Sequence, residues 1–160
     1  SHFINLMNRF PEQYELLRED LDGRIDNAIE EVLRYTSTTT NFRRTTTAAT
    51  EIGGVPVEKG AKIYMSYAGA NRDPDVFEDP HQFDITRQNA RKHLAFGTGP
   101  HVCIGARLAR LQLKALLKQI VTRLPDIRVV EAEWLRSIWF NAIIRMPVEF
   151  TPEIQKEGST

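Results

Sequence analysis

The chain contains a single cysteine, Cys103, in a glycine-rich loop directly before a long amphipathic segment. The loop reads Phe-Gly-Thr-Gly-Pro-His-Val-Cys-Ile-Gly over residues 96–105. A thiolate at the start of a helix is stabilised by the positive end of the helix dipole and by free backbone N–H groups. Glycines let the backbone turn tightly and let a flat ligand approach it. The loop therefore predicts one exposed thiolate that acts as a metal ligand.

The residues alone leave two other roles open for Cys103. A lone cysteine is often a small buried hydrophobe, and a cysteine nucleophile would need a base, which His101 could supply. A disulfide within the chain is excluded because the cysteine has no partner. A structural zinc site needs four ligands, whereas His101 and Cys103 supply two.

The pattern F-G-x-G-x-H-x-C-x-G, followed by Ala-Arg-Leu-Ala-Arg at 106–110, resembles the haem-binding signature of the cytochrome P-450 superfamily, bacterial soluble type. The resemblance implies that Cys103 is the axial ligand to the iron of haem b, iron protoporphyrin IX, and that its thiolate favours O–O cleavage in bound dioxygen. It also implies that Phe96 packs beside the sulfur and that His101 lies near a haem propionate. The implied cofactor-binding residues of the loop are Phe96, Gly97, His101, Cys103 and Gly105.

A second motif lies about seventy residues upstream, where Ile25, Ile29 and Val32 recur at helical spacing and place Glu31 and Arg34 on one face. An exposed ion pair between Glu30 and Arg34 is the simplest interpretation, contributing about 0.2–0.5 kcal/mol. Glu31 and Arg34 also resemble the E-x-x-R helix of the family, which implies a charged structural network behind the haem.

The sequence offers several candidates for the third member of that network. Many members of the family carry an arginine where this chain has Gln82. Either Gln82 or His81 supplies a neutral hydrogen bond, or Arg87 reaches back to Glu31. His93, which precedes the cysteine loop, is predicted to be a structural hydrogen-bonding residue.

The region between the two motifs predicts short strands. Gly53-Gly54 is a strong signal for a two-residue hairpin, and residues 61–67 alternate in polarity. The resemblance makes Arg44 a partner of a haem propionate, because a guanidinium pairs well with a carboxylate. The neighbouring Arg43 is the alternative partner of the propionate. Another interpretation is that Arg44 is an ordinary charge at the edge of a strand, without a functional role.

The segment from Ile104 to Leu124 has a helical period of apolar residues and is predicted to be one long helix. Its basic residues recur at spacings of three and four, which predicts a solvent-facing stripe formed by Arg107, Arg110, Lys114 and Lys118. Such a stripe is ordinarily a solvated face. The resemblance implies that part of it steers an electron donor, commonly a ferredoxin or a flavodoxin-like protein.

Composition excludes several classes of function. The 21 basic residues balance 21 acidic residues, so the positive field of a nucleic-acid-binding protein is absent. No apolar run approaches the length that spans a bilayer, and neither a signal peptide nor a cysteine pair is present. These features predict a cytoplasmic protein without a membrane span.

No repeat or linker divides the 160 residues, which are predicted to form one folding unit, mainly α with small β-sheets (α+β). Pro11 is predicted to begin a helix, and the tail from Pro152 looks frayed. The resemblance implies that residues 1–160 are the C-terminal part of a single cytochrome P-450 catalytic domain, from the end of the central helix to the proximal helix. The acidic and alcohol side chains that deliver protons to bound oxygen belong to the family's central helix, so the segment alone is expected to be inactive.

The resemblance implies a monooxygenase that inserts one atom of dioxygen into a small apolar substrate, such as an alkane, fatty acid, terpenoid or sterol, with electrons from NAD(P)H through a ferredoxin-type partner. Two alternatives remain: a non-catalytic haem-binding fragment and a peroxygenase driven by hydrogen peroxide. Some residues occupy places where the family touches substrate, although ordinary packing explains them equally well: Thr39, Thr40, Phe42, and, in the last strand pair, Trp139 and Phe140.

Overall fold

The computed structural model describes residues 1–151, and the tail predicted to fray, 152–160, lies outside them. The α-helices are α1 (His2–Arg9), α2 (Pro11–Glu19), α3 (Leu21–Thr36), α4 (Tyr67–Ala70) and α5 (Ala106–Arg123). Short 3-10 turns occur at Ala90–Lys92 and Gly99–His101. None of the described helices combines the length and the apolar character that a membrane span requires.

Local sequence explains where α2 begins and where α3 begins and ends. Pro11 occupies the first turn of α2, as predicted, because a proline there lacks only an N–H that would have no helical partner. The Asp20 carboxylate caps α3 by accepting the Gly23 N–H at 3.0 Å. α3 ends at Thr36 and is followed by Ser37, which adopts a left-handed conformation with φ of 44°.

Four pairs of short antiparallel strands lie within residues 1–151. Strand β1 (Asn41–Thr45) pairs with β4 (Lys62–Ser66), and β2 (Thr50–Ile52) forms a hairpin with β3 (Val55–Val57). The predicted turn at Gly53-Gly54 is confirmed, since both glycines have positive φ, 56° and 80°. The remaining strands pair as β5 with β8 and β6 with β7: β5 (Arg128–Val129), β6 (Glu133–Trp134), β7 (Ile143–Arg145) and β8 (Val148–Glu149).

One strand prediction is wrong. Trp139 and Phe140 lie in the loop between β6 and β7 rather than within a strand pair. Phe140 instead forms an isolated antiparallel bridge with Thr39. The loop therefore joins the segment that follows α3, which brings two distant parts of the chain together beside the cysteine loop.

The hydrophobic core lies between α1, α2, α3 and α5 and the irregular segment that precedes the cysteine loop. Burial of each large aliphatic side chain contributes about 1.5–3 kcal/mol relative to exposure. The buried residues of the core are Phe3, Leu6, Met7, Leu17, Ile25, Ala28, Ile29, Val32, Phe83, Ile85, Leu117 and Val121. The predicted class, mainly helical with small sheets, is confirmed, and α3 lies at the centre, with one face toward the irregular segment and another toward α5.

Candidate cofactor site around Cys103

The cysteine loop has a defined backbone structure. The Cys103 N–H donates to the carbonyl of Phe96 at 2.8 Å, which closes the loop, and the Ala106 N–H donates to the carbonyl of Cys103 at 3.1 Å. Cys103 is a free, exposed thiol, and α5 begins three residues later. The predicted arrangement of an exposed sulfur just before a long helix is therefore present.

Glycine is required at some positions of this loop and not at others. Gly97 has a φ of +71°, and a Cβ there would lie 3.2 Å from Tyr67 Oη and 3.4 Å from the His101 carbonyl. Gly99 also has a positive φ, +64°. Gly105 also lies in a turn, closed by the bond from the Ala106 N–H to the Cys103 carbonyl, but its φ of −81° is accessible to any residue. A Cβ at Gly105 would make an ordinary contact with Cys103 Sγ at 3.8 Å.

A cavity of about 460 Å³ opens beside Cys103. Its wall combines aliphatic and aromatic groups with two threonines, a histidine and the only cysteine of the chain. The structure thus brings together four of the predicted cofactor residues and two of the predicted substrate residues. The lining residues are Leu33, Thr38, Thr39, Phe42, Tyr67, Ala95, Phe96, Gly97, His101, Cys103, Ala109 and Leu113.

A second cavity, of about 310 Å³, adjoins the first, because Tyr67 and His101 line both. Arg44 lines this second cavity, with its guanidinium carbon 5.9 Å from the centre of the Phe42 ring. Arg44 is partly buried, whereas Arg43 is exposed on the strand. The structure therefore places Arg44, rather than Arg43, next to His101 at the edge of the site.

The other predicted substrate residues, Thr40, Trp139 and Phe140, lie outside the wall of the cavity beside Cys103. Thr40 donates its N–H to the Trp139 carbonyl at 3.0 Å and its hydroxyl to the Ile138 carbonyl at 2.8 Å. Trp139 and Phe140 are half exposed, at 49% and 50%. These residues tie the loop after α3 to the loop between β6 and β7, and they do not line the cavity beside Cys103.

Glu31 and Arg34 form a fully buried ion pair on α3, facing the irregular segment that precedes the cysteine loop. Arg34 donates from Nε to Glu31 Oε2 at 2.7 Å and from Nη2 to Oε1 at 2.8 Å. Of the three candidates for the next member, Arg87 is the side chain that reaches Glu31, with its Nε 3.3 Å from Oε1. Gln82 contributes only its backbone carbonyl, which accepts from both arginines. We name Glu31, Arg34 and Arg87 the rear cluster.

The preceding residue, Glu30, forms a second cluster that faces α5. Its carboxylate accepts from His93 Nε2 at 2.9 Å and from Arg110 Nε and Nη2 at 2.6 and 2.9 Å. Burial by itself raises the pKa of Glu30, but the hydrogen bonds from His93 and Arg110 and the charge of Arg110 outweigh it and lower the pKa from 4.5 to about 2. We name Glu30, His93 and Arg110 the front cluster.

The front cluster was missed by sequence reasoning, which paired Glu30 with Arg34 on an exposed face. Glu30 is instead 1% exposed, and its partners lie 63 and 80 residues away along the chain. His93 is a buried hydrogen-bonding residue, as its position before the loop predicted. Helical spacing alone could not show that two adjacent acids bind partners on different elements.

The predicted basic stripe on α5 also needs correction. Arg107 is exposed, but Arg110 binds Glu30, and Lys114 Nζ lies 2.8 Å from Asp26 Oδ2. Lys118 forms an ion pair with Asp22. Three of the four cations are therefore partly buried and paired with acids of α3, because α5 packs along that helix.

The geometry limits the kind of metal site that Cys103 can join. Among residues 1–151, no group of three or more His, Cys, Asp and Glu side chains is placed to hold a metal ion. Cys103 is therefore not joined by two further side chains of these types from this part of the chain. A chelating ring with apolar faces matches the apolar wall of the larger cavity.

Comparison with known proteins decides the family. The family model described as Cytochrome P450 matches residues 25–125, which include the rear cluster and the whole cysteine loop. The chain belongs to the cytochrome P450 family. Haem is the cofactor of this family, as predicted, and the likeness to the cysteine-loop signature is confirmed at the level of the family.

Individual relatives agree with this assignment. The putative cytochrome P450 126 of Mycobacterium tuberculosis is 44% identical over 140 residues, which cover 87% of this chain and 33% of that protein. Steroid C26-monooxygenase of Mycolicibacterium smegmatis is 40% identical over 153 residues, which cover 94% and 35%. The solved cytochrome P450-153 from Novosphingobium aromaticivorans has a TM-score of 0.88 at 40% identity and covers 94% and 38%. This cytochrome P450 chain therefore spans about a third of the length of the curated relatives it matches.

The residues around Cys103 fit haem. Porphyrin has two broad apolar faces and carries its two carboxylates at one edge, so it suits an apolar cavity with cations on one side. The larger cavity supplies apolar walls and a thiol, and the adjoining cavity supplies Arg44 and His101. The chemistry of these side chains matches both the faces and the charged edge of the cofactor.

Proposed function

We propose that residues 1–160 are the C-terminal part of a single cytochrome P450 catalytic domain, and that the whole protein is a haem-thiolate monooxygenase. The observation that carries this proposal is the cavity beside Cys103, in which the only thiol of the chain meets apolar and aromatic walls. The relative named steroid C26-monooxygenase supports the reaction class.

Each residue of the loop has a distinct role in this proposal. Cys103 is the protein ligand of the haem iron, and Phe96 packs beside the sulfur. Gly97 and Gly105 keep the loop free of side chains where the cofactor approaches. His101 and Arg44 bind the haem carboxylates, because a partly buried guanidinium and an imidazole are good donors to carboxylate oxygens.

The rear cluster supports this loop from behind. Glu31 and Arg34 neutralise each other, and the guanidinium of Arg34 also donates to the carbonyls of Asn71 and Pro80 at 2.8 and 2.9 Å. Arg87 extends the same arrangement to the carbonyl of Glu78 at 2.6 Å. These bonds fix the irregular segment that leads into the loop, so the role of the rear cluster is structural.

The proposed substrate is a small apolar molecule, such as an alkane, fatty acid, terpenoid or sterol. Thr39 and Phe42 lie in the wall of the larger cavity and are placed to contact it. An indirect role is proposed for Thr40, Trp139 and Phe140, whose contacts would fix the segment that carries Thr39. The sterol class gains support from the relative named as a steroid C26-monooxygenase.

Haem ligated by thiolate would supply the iron at which dioxygen is activated for insertion into a C–H bond. One oxygen atom enters the substrate and the other leaves as water, so the reaction consumes two electrons and two protons. We propose that NAD(P)H supplies the electrons through a ferredoxin-type carrier in the cytoplasm. Arg107 is the exposed cation of the stripe that such an acidic carrier would meet. Arg110, Lys114 and Lys118 would contribute less, because acids of α3 already bind them.

The ligand assignment is tested on the full-length protein by adding carbon monoxide to the reduced form. The parent is expected to show the red-shifted Soret band of thiolate-ligated haem, and Cys103→Ala is expected to lose it. Retention of that band in the alanine variant would refute the assignment.

The electron source is tested separately. Turnover with ferredoxin, its reductase and NAD(P)H is compared with turnover driven by hydrogen peroxide alone. Product formation that needs the carrier supports the monooxygenase. Product formation only with peroxide identifies a peroxygenase, and binding of haem without any product identifies a non-catalytic haem protein.

A further inference from the structure

Glu30 is an anion buried in a cluster that no role above requires. Its side chain is 2% exposed and accepts two hydrogen bonds from Arg110 and one from His93. A buried carboxylate is retained only where charged or hydrogen-bonding partners compensate for its lost hydration. The front cluster therefore has to keep its geometry, which makes it a rigid feature of the fold.

The hydrogen bonds fix the tautomer of His93. The Ala95 N–H donates to Nδ1 at 3.1 Å, so Nδ1 is an acceptor and carries no proton. The proton therefore lies on Nε2, which donates to Glu30 Oε2 at 2.9 Å. His93 thereby connects the backbone that enters the cysteine loop directly to the carboxylate on α3.

Arg110 connects the same carboxylate to Phe96. Its guanidinium carbon lies 4.7 Å from the centre of the Phe96 ring, and the His93 ring lies 6.0 Å from that ring. A guanidinium over an aromatic face is attracted by the ring quadrupole and by dispersion. The Phe96 ring is therefore contacted by two members of the front cluster.

Phe96 in turn positions the sulfur-bearing residue. Its carbonyl accepts the Cys103 N–H at 2.8 Å. A shift of Phe96 therefore moves the acceptor that anchors the cysteine backbone. Glu30, its two partners, Phe96 and Cys103 form a continuous set of contacts from the core helix α3 to the thiol.

We propose that Glu30, His93 and Arg110 are positioning residues that hold Phe96, and through it Cys103, in the geometry that thiolate ligation of haem requires. The inference rests on the proposed function of Cys103. It assigns to Arg110 a role in fixing the cofactor loop, in addition to its weaker contribution to the surface that would meet an electron donor.

A nearby ion pair provides a matched control. Lys114 and Asp26 also join α5 to α3, at 2.8 Å, but their side chains are 35% and 53% exposed. Within residues 1–151, the ring contacts of Phe96 are with Arg110 and His93, and not with Lys114 or Asp26. Asp26→Asn therefore weakens the junction of the two helices without disturbing the ring beside the sulfur.

The experiment compares Glu30→Gln, Arg110→Met and Asp26→Asn in the full-length, haem-loaded protein. The readout is the ratio of thiolate-ligated to thiol-ligated carbonyl complex after reduction, together with the reduction potential of the iron. Glu30→Gln and Arg110→Met are expected to lower that ratio about tenfold, because a buried charged hydrogen bond is lost, whereas Asp26→Asn is expected to leave it unchanged. Glu30→Gln keeps the shape of the side chain, so it remains informative if Arg110→Met folds poorly.

Two further variants test the route through the ring. Arg110→Lys keeps a cation that can pair with Glu30 but loses the planar contact with the Phe96 ring. Its ratio is therefore expected to lie between that of the parent and that of Arg110→Met. In a Phe96→Leu background, Arg110→Met is expected to have no additional effect on the ratio.

The inference is overturned if Glu30→Gln and Arg110→Met lower the melting temperature but leave the ratio and the potential at the values of Asp26→Asn. It is also overturned if Arg110→Met has the same effect with and without the Phe96 ring. If the parent itself shows no thiolate band, or if Cys103→Ala keeps it, the proposed function fails instead and the inference fails with it.

Discussion

Adjacent glutamates on one helix, Glu30 and Glu31, form two charged clusters of different character. The rear cluster is closed to solvent, with both Glu31 and Arg34 side chains at 0% exposure. The front cluster is open on one side, since the Arg110 side chain remains 35% exposed. The acids differ by one position, and one helical step of about 100° directs them to different elements.

Burial sets what each charged cluster does. In the rear cluster, water cannot replace a lost partner, so the charges are expected to govern whether the chain folds. In the front cluster, Arg110 can be hydrated if Glu30 is lost, so the loss of stability is expected to be smaller and to be accompanied by displacement of the neighbouring Phe96 ring. The same helix thereby serves stability on one face and the cofactor loop on another.

The largest expected effect is that of Glu31→Ala. Because this change leaves the Arg34 guanidinium buried without its carboxylate, we expect the free energy of unfolding of the full-length protein to fall by about 3–5 kcal/mol. Denaturant-induced unfolding measures the loss. Glu15→Gln is the control, since Glu15 pairs with Arg18 at the surface, where the side chains are 67% and 40% exposed, and should change stability by less than about 1 kcal/mol. Similar losses in both variants would contradict a special role of burial.

The contribution of the front cluster to stability is expected to depend on pH. The pKa of Glu30 is lowered in the folded protein from 4.5 to about 2, so its stabilisation is complete above pH 4.5 and is lost as the pH falls toward 2. We expect the stability of the parent, relative to Glu30→Gln, to fall by up to about 3 kcal/mol across this window. Unfolding free energies of both proteins at several pH values provide the measurement. A constant difference between them would show that Glu30 is not held as an anion.

The loop itself separates backbone requirements from those of the front cluster. Gly97→Ala is expected to cost about 1–2 kcal/mol, because an alanine strains the left-handed backbone and its Cβ lies close to Tyr67 Oη, at 3.2 Å. Gly105→Ala is the matched variant, with φ of −81°, and should change the free energy of unfolding by less than about 0.5 kcal/mol. Unfolding of both variants without haem decides the point, and equal costs would refute the distinction.

The smallest effect is expected at the exposed pair of the same two helices. Asp26→Asn should cost about 0.2–1 kcal/mol and become less costly as salt is added, because the charges of Asp26 and Lys114 are largely screened by water and ions. Melting temperatures at low and high ionic strength measure this. A cost that is independent of salt would mean that Asp26 acts through packing instead.

Much of the fold was predictable from local patterns. The two glycines of the β2–β3 hairpin, the proline that begins α2 and the apolar period of α5 are signals carried by neighbouring residues. The motif around Cys103 was predictable for the same reason, because its residues are contiguous and their spacing is specific. These features depend little on the rest of the chain.

Partners that are distant in sequence could not be predicted. The stripe of α5 looked solvent-facing because the pattern of one helix does not show that acids of α3 lie opposite it. Likewise, nothing local distinguishes Glu30 from an exposed partner of Arg34, since both residues satisfy helical spacing. Trp139 and Phe140 looked like strand residues, but the bonds of their loop to Thr39 and Thr40 override that preference.

The proposed roles of both clusters depend on whether the sulfur of Cys103 binds haem. Diffraction from crystals of the full-length, haem-loaded protein, measured at the iron absorption edge, locates the metal directly. We predict a single iron peak within covalent bonding distance of Cys103 Sγ, with Arg44 and His101 at the haem carboxylates. An iron peak remote from Cys103, in a crystal in which the loop is well ordered, would contradict the account.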